Sequence, residues 1–80
     1  MKIPVIKKIV EENTIEQLVK AEIDLLDEKV PDIDIEGHDE GEKLTHIMAG
    51  IWILNEMNDH GTDFKEALRL YTKKVRESIS

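Results

Sequence analysis

The longest uncharged run in this chain, Leu44 to Asn55, constrains its fold more than any other feature. Read as a helix at about 100° per residue, it places Leu44, Ile47, Met48, Ile51, Trp52 and Leu54 on one broad side. His46, Gly50, Ile53 and Met57 fall on the opposite side, with Ala49 beside them. A helix that is apolar nearly all round has to be covered nearly all round. An 80-residue chain has little to cover it with. A domain of this size buries only roughly 60% of its unfolded surface, and its core supplies about 3–5 kcal/mol. The sequence has no cysteine, so neither a disulfide nor a thiolate metal site can staple it. The spacing therefore points to a second copy. Ala49 and Gly50 would allow close helix approach across a two-fold axis, with Gly50, Trp52, Ile53 and Met57 as the interface of a homodimer. The competing expectation is a monomer whose other helices cover both faces.

Those other helices can be placed from periodicity and punctuation. The first starts near Pro4, carries Ile3, Ile6, Ile9 and Val10 on one stripe, and stops at Asn13. The second starts from a capping box, Thr14 with Gln17, and runs to about Glu28 ahead of Pro31. Its apolar stripe is Ile15, Leu18, Val19, Leu25 and Leu26. The third is bounded by Asp39 and Glu42 at its start and by Gly61 at its end. The fourth opens with Asp63 and Glu66 in the same relation and carries Phe64, Ala67, Leu68, Tyr71, Val75 and Ile79. Between the second and third helices, residues 30–37 alternate apolar and acidic, which is an extended pattern. A lone strand has no partner in the chain, so the segment reads as a strap over the helices or as a strand paired with its counterpart in a second copy. The fold class is all-α: one domain over 1–80, four helices, and an acidic extended connection between helices two and three.

Charge divides the chain. The formal net charge is −7, from 18 acids and 11 bases. Residues 14–43 hold 11 acids against 3 lysines, and residues 62–80 hold 5 bases against 3 acids. Lys65, Arg69, Lys73 and Arg76 share one face of the fourth helix, either as a solvated surface or as a partner for the acidic belt 32–42. An acidic belt in so small a body argues against nucleic acid and anionic membranes as partners. No run approaches the ~18 apolar residues of a membrane span. Met1 to Pro4 lacks the apolar core of a signal peptide, so a cytoplasmic location is expected. At 40% hydrophobic residues the chain is also too apolar for a disordered tail.

Three groupings could carry chemistry. Asp32-Ile33-Asp34-Ile35-Glu36-Gly37 resembles the first half of an EF-hand calcium loop. The second half departs from it: position twelve is Lys43, with its glutamate one place early at Glu42, and position eight is Asp39 rather than an apolar residue. Asp32, Asp34, Glu36, Glu42 and His46 are thus weak metal candidates, with a solvated acidic loop as the plainer reading. Glu42 and His46 share a helix face four residues apart, and His60 before Gly61 suits a helix C-terminus. Glu22 and Asn55 interrupt apolar stripes, so Glu22, His46 and Asn55 are the groups from which an acid–base or ligand pocket could be assembled. No nucleophile or phosphate loop accompanies them, and the expectation is a protein that is not an enzyme and needs no cofactor.

Met1–Val10 (MKIPVIKKIV), the acidic strap, Gly41–Met57 (GEKLTHIMAGIWILNEM) and the closing DFKEALRLYTKKVRESIS together resemble an uncharacterised family of small bacterial proteins of about eighty residues. The resemblance covers the whole chain and implies a self-contained domain. It supplies no catalytic residue, cofactor or partner. The functional expectation is therefore a small cytoplasmic protein acting by association, through the third helix with itself or with an unidentified protein partner.

Overall fold

Local signals place the helix ends. In the computed structural model, which describes residues 2–79, α1 spans Ile3–Glu12, α2 Ile15–Leu26, α3 Glu40–His60 and α4 Phe64–Ile79, and no strand occurs among the described residues. The Thr14 hydroxyl accepts from the Gln17 N–H and the Gln17 side chain accepts from the Thr14 N–H, a complete capping box. The Asp39 carboxylate accepts from Glu42 N–H and that of Asp63 from Glu66 N–H, each at 2.8 Å. These bonds satisfy amide donors that the first turn of a helix leaves open. At the far end of α3, Gly61 takes the left-handed conformation (φ 67°) that ends helices and that glycine adopts without strain.

α2 ends at Leu26, two residues before the expected Glu28. Glu28 N–H donates to Leu25 C=O and Lys29 N–H to Asp24 C=O, and Glu28 itself sits at φ 61°. This is the double-bonded C-terminal motif usually built on glycine, here with a glutamate in the left-handed position.

Two apolar clusters hold the helices together. Val5, Ile9, Leu18, Ala21, Leu25, Ile35 and Ile47 form one. Ile6, Val10, Ala49, Ile53 and Ala67 form the other, with Trp52, Met57, Phe64, Leu68 and Tyr71 packed around it. α1 and α3 supply both clusters, α2 and the strap only the first, α4 only the second. The order across the molecule is therefore α2 with the strap, then the α1–α3 pair, then α4. Val5 replaces Ile3 in the α1 stripe, because Ile3 stays exposed at the helix start.

This order covers the second face of α3 from within the chain. Gly50 lies against Ile9, Val10 and Leu18, close enough that a Cβ there would stand 3.2 Å from Ile9 Cγ2. Ile53 is fully buried beside Ile6 and Ala67. Trp52 rests on Tyr71, ring centroids 5.6 Å apart, and Met57 is half-buried in the same cluster. Of the residues expected at a homodimer interface, Gly50 and Ile53 are therefore buried within the chain by α1 and α4, whereas Trp52 and Met57 stay half-buried. No helix among the described residues is long and apolar enough to cross a membrane.

The strap lies over the helices without making a ladder. Ile35 is buried against the first cluster and Ile33 half-buried, while Asp32, Asp34 and Glu36 face outward. Gly37 is needed where the strap meets α3, since a Cβ there would sit 2.8 Å from Lys43 Cγ and 3.0 Å from Lys43 N. In α4, Ala67 is buried, Phe64, Leu68 and Tyr71 are half-buried, and Val75 is exposed near the end. The side chain of Ile79, expected on this stripe, lies outside the described residues.

Candidate functional site

α2 carries more apolar residues than its contact with the core can use. Leu18, Ala21 and Leu25 point inward and are buried. Val19, Ile23 and Leu26 recur at successive turns about 130° around the helix from them, and are 37%, 52% and 62% exposed. Val19 and Leu26 were expected in the core stripe. The arc from Leu25 to Ile23 is too wide for one helix–helix contact, so its outer part emerges into solvent. Seven apolar residues among the twelve of Ile15–Leu26 are the signal that marks this surplus in the sequence.

The surroundings of this ridge are acidic. Glu16 and Asp27 lie along one edge and Glu22, half-buried, along the other. The only basic residue of α2, Lys20, is turned to the strap, where its Nζ stands 3.2 Å from Asp24 and 2.8 Å from Asp32. The paired carboxylates raise the Lys20 pKa, the Asp32 hydrogen bond most, and the same bond lowers that of Asp32. α3 adds Met48, 52% exposed on the flank opposite the one where His46 and Gly50 receive α1. Met48 thus faces away from α1.

On the other side, His46 joins three elements. Among the described residues it is the one fully buried polar residue of the core. Its Nδ1 bonds the Glu36 carbonyl at 2.9 Å, and its Nε2 meets the Lys2 N–H at 3.0 Å. A carbonyl only accepts and an amide only donates, so the ring is the neutral Nδ1–H tautomer. One side chain of α3 therefore ties down the start of α1 and the end of the strap. Beside it a cleft of about 220 Å³ is lined by Lys2, Val5, Glu36, Gly37, His38 and Glu42. Glu42 Oε1 is buried without a hydrogen-bond partner.

The sequence model of a family of unknown function, DUF6952, matches residues 1–80. The chain belongs to this family. Neither curated proteins nor solved structures gave a match.

The other groupings expected from the sequence do not assemble. Asp32, Asp34, Glu36, Glu42 and His46 form no metal-holding set: no three His, Cys, Asp or Glu among the described residues are placed to share an ion. Asp32 is engaged by Lys20 and both ring nitrogens of His46 by backbone. His46 and Asn55 stand on one helix nine residues apart, about 13 Å along its axis, and Asn55 is exposed beside Trp52, Glu56, Asp59 and His60. A joint site of these two with Glu22 is therefore excluded by helix geometry. His60 pairs with the Glu56 carboxylate one turn back. None of the ion pairs among the described residues joins Lys65, Arg69, Lys73 and Arg76 to the belt at 32–42; these four bases are exposed, as are the acids of the belt apart from half-buried Glu42.

Proposed function

We propose that this member of the DUF6952 family is a non-enzymatic cytoplasmic protein that acts by associating with another protein through the outer flank of α2. One observation carries the reading: Val19, Ile23 and Leu26 stand exposed at one-turn spacing on a helix whose inner face already fills the core. Scattered apolar residues are ordinary on a protein surface, but an aligned row is the form that a helix-docking surface takes. The distribution of polar groups agrees with a binding role. His46, the most buried of them, is used to hold the strap and α1, and Asn55 lies in solvent. The cytoplasmic assignment rests on the acidic, cysteine-free composition.

A photo-crosslinking residue at position 23 tests the reading in the native host. Discrete protein adducts from position 23, absent when the same group stands at exposed position 65 on α4, are the expected result. Equal adduct patterns, or none from position 23, overturn it.

A further inference from the structure

We propose that the partner of the α2 flank is a basic amphipathic helix of another protein. The inference rests on the association reading above and adds the chemistry of the occupant. The row of Val19, Ile23 and Leu26 spans two helical turns, about 10 Å, and is matched by a helix offering apolar side chains at i, i+3 or i+4, and i+7. Its rim selects the sign of the flanking charges. Glu16 and Asp27 border one edge and Glu22 the other; Lys20 neighbours Glu16 and Asp27 around the helix, but its Nζ is drawn toward the strap by Asp24 and Asp32. Lys20 is the only basic residue of α2 and its ammonium is engaged by those two carboxylates, which leaves the rim acids in excess. Lysines or arginines flanking the apolar row of the incoming helix complete the surface, and they accelerate the encounter as well.

The same rim argues against the competing occupants. A second copy docked α2 to α2 about a two-fold axis would set acids against acids. A second copy offering α4 brings Lys65, Arg69, Lys73 and Arg76, but Phe64, Ala67, Leu68 and Tyr71 of that helix already pack in its own core, and Leu70 and Val75, which it leaves exposed, stand on different faces rather than in a row. An anionic bilayer is repelled by the carboxylates that a basic helix would meet.

The probe is a labelled leucine–lysine amphipathic peptide of about 18 residues, long enough to form four to five turns, titrated with the whole chain and followed by fluorescence anisotropy at physiological salt. Its control has the same composition in a scrambled order. Binding in the micromolar range is expected, weakened about tenfold or more by scrambling, by I23S/L26S and by E22K/D27K. These positions are exposed or half-buried, and a circular dichroism melt of each variant establishes that it is folded. V19S is the milder second variant should I23S/L26S unfold. Equal binding of the scrambled peptide, or of the variants, reduces the effect to general charge attraction and overturns the proposal. Sedimentation of the chain alone separates the two levels of inference. A dimer abolished by I23S/L26S would overturn the basic-helix partner and leave α2 as the association surface. Neither peptide binding nor self-association by ~100 μM would remove both.

Discussion

Replacing His46 by leucine should detach the strap and the first turn of α1 together. The imidazole is fully buried and bonds two backbone groups from elements remote in sequence, the Lys2 N–H and the Glu36 carbonyl. Leucine fills much the same volume, so the loss is chiefly polar. A typical hydrogen bond contributes about 0.5–1.5 kcal/mol net, and a buried group left unpaired forfeits about 1–3 kcal/mol. Both backbone groups are only partly buried, which puts the pair at the low end, about 2–3 kcal/mol in total. That is half or more of the ~3–5 kcal/mol available to a domain this small. At about 4–8 °C per kcal/mol for a chain of this length, the melting temperature should fall by roughly 10–20 °C. Thermal and urea unfolding by circular dichroism measure it. Hydrogen exchange should show faster exchange at the amide of Lys2 and through residues 30–37 than elsewhere. An H46L variant melting within about 3 °C of the parent would refute the reasoning, because it would mean that the two bonds add less than ~1 kcal/mol. So would nitrogen NMR showing the proton on Nε2 in the parent, since that tautomer cannot accept from Lys2.

Other substitutions test separate parts of the structure. E28G should stabilise the chain by about 0.5–1 kcal/mol by relieving the left-handed conformation at the end of α2; an unchanged urea midpoint would show that the glutamate bears no strain. Ile53→Val should cost about 0.5–1.5 kcal/mol, whereas Ile23→Val should stay within about 0.5 kcal/mol, because the first is fully buried and the second 52% exposed. Equal effects in denaturant melts would contradict the placement of the two side chains. The Lys20–Asp32 pair gives a pH dependence with a definite sign. Asp32 is lowered, so its contribution is present above the usual carboxylate range near 4 and disappears as the pH falls through the depressed value. Lys20 is raised, so its contribution is present below the usual lysine range near 10.4 and disappears as the pH rises through the elevated value. A double-mutant cycle with Lys20→Met and Asp32→Asn should show coupling at neutral pH that fades at both extremes and in high salt, since both groups are solvent-exposed. Coupling that persists in strong acid would mean that the carboxylate is not its source.

The parts of this fold that were legible in the sequence are those decided within four residues. Thr14 with Gln17, Asp39 with Glu42, Asp63 with Glu66, and Gly61 mark helix ends because a cap is a contact between near neighbours along the chain. The alternation of residues 30–37 likewise showed which side chains of the strap turn inward. The surplus of apolar surface was legible too, but its address was not. In the sequence, α3 is apolar on two faces and α2 reads as a single stripe. In the structure α1 and α4 close over Gly50 and Ile53, and the uncovered row is on α2. Which face stays bare depends on which helices reach it, through contacts such as Lys2 with His46 that join residues 44 positions apart. Helix periodicity states how much surface each element must bury, since the side-chain direction repeats with the backbone turn. Only the packing of all four helices and the strap at once assigns that surface to the core or to a partner, because burial is a property of pairs of elements and not of either one alone.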